Sequence, residues 1–392
     1  MSRNTTTSLL LIAPLFALIL VGFLLPIGVS MLKAFENPEV STALPRTVTA
    51  LESWDRDGLP DEPVFAALVA DLTADRDGRT FGAMTRRLNF EQNGMRGLMT
   101  STRRDAGELS PPFSRSLPAL DPAWGDPQTW GLIKTHSNTW TASYILRSLD
   151  WQNTPDGGVT SVEADQAIFL QLFARTFEIS LWVTALSVVF GYPTAWFLST
   201  LSGRVASFAM LCVLVPFWTS ILVRSTAWFI LLQREGPINA LLLATGLAAE
   251  PQAIIFTRPA VYIAMVHVML PFFILPLYSV MKRIRPEYVR AAASLGAPPW
   301  RQFTNVYLPM TMPGVAAGGL MVFMLSVGFY VTPALVGGLQ DQMVSYYIAF
   351  FTNTSMNLGM AAALSLLLLA FTGILVVIAS RAVPGFSSRI KA

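Results

Sequence analysis

Apolar and polar positions divide this chain into two kinds of material. Six stretches are mostly apolar: Leu9–Leu32, Phe173–Leu198, Ala206–Leu232, Ala260–Val280, Met310–Val331 and Leu358–Ser380. Each reaches the roughly 20 residues that a helix needs to cross a hydrocarbon core. Between the first two lies a long polar segment, residues 33–165, with 19 acidic and 13 basic side chains and a net charge of −6. Such a length without structure is uncommon, and its pattern is helical in places. Val64, Phe65, Leu68, Val69 and Leu72 recur at helical spacing, with Pro63 at a first-turn position. The pattern predicts an all-α membrane protein of six transmembrane helices. Residues 1–32 hold the N-terminus and helix 1, residues 33–165 form a large helical extracytoplasmic insert, and residues 166–392 form the core with helices 2–6. Trp124, Trp130, Trp140, Tyr144 and Trp151 lead the insert back toward the membrane. One reading makes it a cap with tryptophans in the interfacial belt; the other makes it a platform for an extracytoplasmic partner.

Composition agrees with a membrane protein. Of 392 residues, 53% are hydrophobic and 13% charged, with a mean hydropathy of +0.50. Soluble domains carry about 25% charged residues. A net charge of +3 is too small to argue for nucleic acid. Cys212 is the single cysteine, and His136 and His267 are far apart, so no disulfide and no metal-ligand cluster is expected. The first apolar stretch exceeds the usual core of a signal peptide, and no small-x-small cleavage site follows it, so it reads as a retained helix. Placing the N-terminus inside puts Arg3, Arg204, Lys282, Arg283, Arg285, Arg290, Arg301, Arg381, Arg389 and Lys391 on the cytoplasmic face. The short outer loops then hold only Arg234 and Arg258, so both termini are expected to be cytoplasmic.

No phosphate-binding Gly-x-x-x-x-Gly-Lys-Ser/Thr loop occurs, nor a Gly-x-Ser-x-Gly, His-Glu-x-x-His or paired-carboxylate arrangement. The chain therefore reads as a non-enzyme that binds no cofactor and no metal.

The densest signal is the loop from residue 282 to 308 and its exit, which contains RAAASLGAPPWRQFTNVYLP from Arg290 to Pro309. Three alanines and a leucine favour helix over Tyr288–Leu295. Gly296 suits the left-handed position that ends a helix, and Ala297-Pro298-Pro299 stops the first helix and opens a second. Alanines leave a smooth face for close approach, and Leu308-Pro309 marks re-entry into the bilayer. The result is a helix–turn–helix shaped for docking.

These residues resemble the signature of the inner-membrane permease subunits of binding-protein-dependent ABC importers: Glu-Ala-Ala, three residues, Gly, nine residues, Ile-x-Leu-Pro. Here Arg290, Ala291, Ala292, Gly296, Val306, Leu308 and Pro309 keep the spacing, with Arg290 in place of glutamate and Val306 in place of isoleucine. Glu287, three residues earlier, is positioned to compensate for the reversed charge across one turn. A second set of motifs is similar to the spermidine/putrescine permease branch: Val215-Pro216-Phe217-Trp218-Thr219-Ser220 with Leu222-Val223-Arg224, Gly191-Tyr192-Pro193, and Leu270-Pro271-Phe272. The likeness covers the six spans and not the insert. It implies a type I importer permease fold in a bacterial inner membrane and a sister permease, with a heterodimer expected. It also implies a dimer of ATPase subunits carrying the ATP and Mg, a soluble extracytoplasmic binding protein, and residues 285–305 seated in a groove of the ATPase. The implied cargo is a polyamine; another small cationic or amino-acid-derived solute is the alternative within the family.

Candidates for the substrate path are Glu178, Trp218, Trp228, His267 and Tyr330. Glu178 either pairs with Arg175 three residues away or passes a cation. The aromatics either stack on a cation or pack. His267 either bonds a neighbouring helix or lines the path, and Arg224 either snorkels or pairs with a carboxylate. A secondary transporter is the rival class, but scarcely any acids lie in mid-span. An assembly factor working through the insert is the other.

Overall fold

Over its described residues each of the six apolar stretches is mostly helical in the computed structural model, which describes residues 12–74 and 78–382. Arg3, Arg389 and Lys391 of the charge argument lie outside the described residues. The chain divides into two compact units: one runs to Leu170 and includes Phe350–Leu367, the other comprises Gln171–Ala349 and the residues from Leu368.

In the first unit, α1 (Ile12–Leu32) has a mean hydropathy of 2.6 and none of it is buried. A π-helical turn at Leu20–Leu24 interrupts it. An all-apolar helix with no packing of its own needs lipid or another subunit around it.

The insert then folds as helices α2 (Glu39–Ala43), α3 (Pro45–Glu52), α4 (Glu62–Thr73), α5 (Gly78–Glu91), α6 (Met95–Asp105), α7 (Phe113–Leu120), α8 (Pro127–Thr135) and α9 (Ser143–Ser148). A hairpin of β1 (Trp151–Asn153) and β2 (Val159–Ser161) follows, with Trp151 opposite Ser161. Helix α4 begins with Pro63 in its first turn and buries Val64, Phe65, Leu68, Val69 and Leu72, as its periodicity predicts. These join Met84, Leu88, Met99 and Leu117 in one core. Trp124 and Trp130 correct the interfacial-belt expectation: both are fully buried in that core, their ring centroids 5.2 Å apart. Each indole N–H finds a buried acceptor, Thr102 Oγ1 at 2.8 Å and the Trp124 carbonyl at 3.0 Å, which is what allows tryptophan inside. Trp140 and Trp151 are exposed. Asp71 ties α3 to α4 by accepting from the Thr47 N–H and hydroxyl.

The remaining helices are α10 (Phe169–Thr200), α11 (Gly203–Leu214), α12 (Ile221–Leu231), α13 (Pro237–Ala244), α14 (Arg258–Met281), α15 (Pro286–Ser294), α16 (Pro299–Gln302), α17 (Leu308–Val327), α18 (Val331–Val336), α19 (Val344–Asn353) and α20 (Leu358–Ala382). With α1, four of these regions supply the five helices long and apolar enough to cross a membrane: α10, α14, α20 and the run Pro299–Val327 that ends in α17. The third predicted span, Ala206–Leu232, is not straight. It bends by 98° between Gly203–Trp218 and Ile221–Leu231, and counts as a sixth span only if the bent pair is one. Pro216 opens a short 3-10 turn at Val215–Trp218, and Thr219 and Ser220 then adopt extended backbone that no helix continues through.

Within the second unit α14 packs along α17 because glycine lets it. A Cβ on Gly314 would lie 3.0 Å from Val280, and one on Gly318 would lie 2.8 Å from the Phe273 carbonyl. Gly191 of α10 makes room for the other side of Phe273, whose ring a Cβ there would meet at 2.4 Å. Small residues bring membrane helices close enough for dispersion contacts to hold them, since lipid gives no hydrophobic drive.

Candidate functional site

The loop between α14 and α17 folds from its own sequence. At its start, Lys282 donates from Nζ to the carbonyls of Ser199 and Leu201, at 3.2 and 3.0 Å, satisfying acceptors at the end of α10. Arg285 is extended and Pro286 occupies the first turn of α15. That helix ends as the alanine-glycine pattern predicts. Gly296 has φ of +82°. Its N–H donates to the Ala293 carbonyl at 2.9 Å, and that of Ala297 to the Ala292 carbonyl at 3.0 Å. This is a Schellman closure, in which a left-handed residue turns two N–H groups back on the last carbonyls. Nothing lies within 4 Å of a Cβ built on Gly296, so backbone conformation rather than crowding is what demands glycine.

Pro298 is extended, Pro299 opens α16, and Gln302 donates from Nε2 to the Ala297 carbonyl at 2.7 Å. A π-helical turn, Phe303–Tyr307, leads without a break into α17, with Pro309 in its first turn. The outward face is bare: Glu287, Arg290, Ala291 and Gly296 are exposed, while Ala292, Val306 and Leu308 are half-buried. Leu295 is 89% exposed and Trp300 62%. Neither side chain is packed into the chain's own core. Glu287 and Arg290 form no ion pair among the described residues.

The path candidates separate into groups. Glu178 does not pair with Arg175, which instead donates to the Gln342 carbonyl at 3.3 Å. Arg258 takes Glu178 with Nη1 at 3.0 and 3.1 Å, and holds Asp341 Oδ1 with Nε at 2.9 Å. Asp341 is buried and also accepts from the Gly338 N–H at 3.1 Å. Sequence reasoning missed this triad because its members lie about 80 residues apart in the chain and no local spacing announces them.

Trp228 and His267 come together: the indole N–H donates to His267 Nδ1 at 3.1 Å, with the rings edge-on at 5.5 Å. The neighbour-helix reading of His267 therefore holds, and its proton sits on Nε2. Trp218, 72% exposed, and Tyr330, 42% exposed, have no ring contact with that pair. Arg224 has no carboxylate partner among the described residues, against one of its two expectations. An apolar groove of about 600 Å³ runs between α10, α17 and α20 past Phe177, Gly319 and Leu375, with Glu178 as its charged residue. Among the described residues no group of three or more His, Cys, Asp or Glu side chains is placed to hold a metal.

Known proteins bear on this arrangement. Residues 187–389, just over half of the chain, match the family described as binding-protein-dependent transport system inner membrane component. The match contains the whole loop from Lys282 to Pro309 and none of residues 33–165. The chain is similar to the spermidine/putrescine transport system permease protein PotB of Escherichia coli (strain K12). The identity is 32% over 215 residues, covering 55% of this chain and 78% of that protein. The inner membrane ABC transporter permease protein YdcU of the same organism is 31% identical over 214 residues, covering 50% of this chain and 67% of its own. Among solved structures, the crystal structure of a bacterial ABC transporter involved in the import of the acidic polysaccharide alginate has a TM-score of 0.46 at 20% identity. It covers 55% of this chain and 78% of that one. By family match and by coverage of these relatives, the chain belongs to the binding-protein-dependent transport system inner membrane components, the permease subunits of ABC importers.

Proposed function

We propose that this permease works as one half of a heterodimeric translocation path for a small organic cation of the polyamine class, such as spermidine or putrescine. A soluble extracytoplasmic binding protein delivers the cargo, and two separate ATPase subunits, which carry the ATP and Mg, drive the cycle. Both termini and the α15–α16 loop face the cytoplasm. The observation that carries this reading is the loop itself: a rigid helix–turn–helix closed on Gly296, with Leu295 and Trp300 exposed rather than packed into the chain.

The loop seats α15 in a groove of the ATPase. ATP-driven closure then moves it, and it moves α14 and α17, to which it is joined without slack. A docked loop acts only through a difference in binding between nucleotide states; a switch from 1:99 to 99:1 takes about 5.5 kcal/mol. The polyamine assignment rests on the similarity to PotB, a spermidine/putrescine transport system permease protein 32% identical to this chain. An insert with a net charge of −6 also favours cations in its own vicinity, over a range limited to about 8 Å by salt.

The test is ATP hydrolysis by the reconstituted complex with and without its loaded binding protein. Gly296→Val should leave the complex assembled and remove the stimulation. Full stimulation in that variant would contradict the role of the turn. A transported amino-acid derivative in place of a polyamine would keep the importer and change its cargo.

A further inference from the structure

The first unit holds a cavity of about 470 Å³ lined by charged and apolar side chains alike. Lys33, the residue after α1, and Leu358, the first of α20, both line it. Both helices are long and apolar enough to span a bilayer, so the cavity opens where two spans leave hydrocarbon for the headgroup layer. Its volume lies in the usual range for a small ligand, about 300–1,000 Å³.

Its walls carry unspent charges of both signs. Arg86 on α5 and Arg96 on α6 are exposed and have no acidic partner among the described residues. Lys33 is paired with Glu36. Glu39 also lines the cavity; one of its carboxylate oxygens is buried without a hydrogen-bond partner, and its charge acts on the neighbouring Arg87. The cavity's other arginine is not available. Arg87 is buried, donating to Asn37 Oδ1 at 2.7 Å and Glu91 Oε1 at 2.5 Å, with His136 Nδ1 at 3.0 Å from its third nitrogen. Its guanidinium also lies 4.6 Å from the centroid of the Tyr144 ring. That ring is wedged against Gly359 so closely that a Cβ there would lie 2.3 Å from it. The floor of the cavity is therefore fixed to the first turn of α20, and what remains free is two guanidinium groups and a carboxylate.

We propose that this cavity binds the headgroup of an ethanolamine phospholipid. The phosphodiester sits against Arg86 and Arg96, in charge-assisted hydrogen bonds of the kind guanidinium makes with phosphate. The primary ammonium is taken by Glu39. Met356 and Leu358, 62% and 51% exposed, start the apolar track along which the acyl chains enter the bilayer beside α20. A headgroup with only negative charge leaves Glu39 without a donor, and a quaternary ammonium has no N–H to give it. The site thus separates ethanolamine from both glycerol and choline headgroups.

The test uses the intact transporter complex, extracted from vesicles holding equal amounts of phosphatidylethanolamine, phosphatidylcholine and phosphatidylglycerol, with retained lipid read by native mass spectrometry. One phosphatidylethanolamine per copy of this chain should be retained, enriched at least several-fold over the other two. Glu39→Gln should bring phosphatidylethanolamine and phosphatidylcholine to parity, and Arg86→Ala with Arg96→Ala should strip all three. Both arginines are exposed, so unchanged co-purification of the complex verifies that the double variant is folded. Equal retention of the three lipids by the unaltered chain would overturn the proposal, as would an ethanolamine preference that survives both variants. Displacement of the retained lipid by millimolar soluble phosphoethanolamine would also overturn it, assigning the cavity to a free zwitterion instead.

Discussion

The insert and the α14–α17 loop are both polar, both helical and both outside the apolar spans, yet they are stabilised in opposite ways. The insert encloses its large side chains: Phe65, Met84, Met99, Trp124 and Trp130 are fully buried, and its polar interior is tied by Asp71, Thr102 and the Arg87–Glu91 pair. The loop encloses almost nothing. Its shape comes from proline at two helix starts, a Schellman closure at Gly296 and one side-chain bond from Gln302. A region that spends its apolar residues on its own core is finished by folding. A region that holds a fixed backbone and leaves Leu295 and Trp300 outside is, on the proposed function, finished by a partner.

The largest effect that would break this contrast is in the insert. Trp130→Ala should destabilise it by about 3–5 kcal/mol through the cavity left and the lost indole bond, read as a lowered thermal midpoint of the purified chain. In the loop, Leu295→Ala should leave that midpoint unchanged and still reduce binding-protein-stimulated ATP hydrolysis several-fold. A stability loss comparable to that of Trp130→Ala would mean that Leu295 is core rather than contact.

Acidification separates the two regions next. Burial, reinforced by the neighbouring Arg87, pushes the His136 pKa down to about 4, against 6.5 in the unfolded chain. The unfolded state therefore takes up its proton first as pH falls. His136 contributes full stability above about pH 6.5 and loses it progressively down to about pH 4, by about 3 kcal/mol in all. The fluorescence of Trp124 and Trp130 should report a midpoint that drops over that window, and His136→Gln should flatten the slope. The loop contains no histidine, so its coupling should not follow this titration.

The smallest effects sit on charges in the open. Glu178→Gln removes an exposed partner of Arg258 and should cost at most about 1 kcal/mol, whereas Asp341→Asn, in a buried bonded position, should cost more. Arg290→Glu, which restores the acidic residue of the signature, should leave the stability of the purified chain, read from its thermal midpoint, within about 0.5 kcal/mol, because Arg290 is exposed and has no ion pair among the described residues to lose.

What was legible in the sequence follows the same division. Local rules governed the loop, so Gly296, Pro299 and the end of α15 could be read from spacing alone. The apolar stretches were legible for the same reason, as was α4 with its Pro63 start. The 98° bend after Trp218 was not, since Pro216 in an apolar run is also compatible with a kinked but continuous span. Long-range pairings are invisible: nearness in sequence offers Arg175 as the one ion-pair candidate for Glu178, while Arg258, 80 positions away, is its partner. Residue type alone offers the interfacial belt as one place for Trp124 and Trp130, and nothing local announces that Thr102 stands ready to take an indole N–H inside the core.

The central claim is that the bare loop is a contact surface for an ATPase, and proximity tests it most directly. With Cys212 replaced by serine, Leu295→Cys gives a single thiol at the exposed tip of the loop. In the assembled complex a short thiol-to-amine cross-linker should join this position to the ATPase subunit, with a yield that changes between the nucleotide-free and ATP-bound states. An assembled, active complex in which the introduced thiol cross-links only within its own chain, or to lipid, would contradict the account.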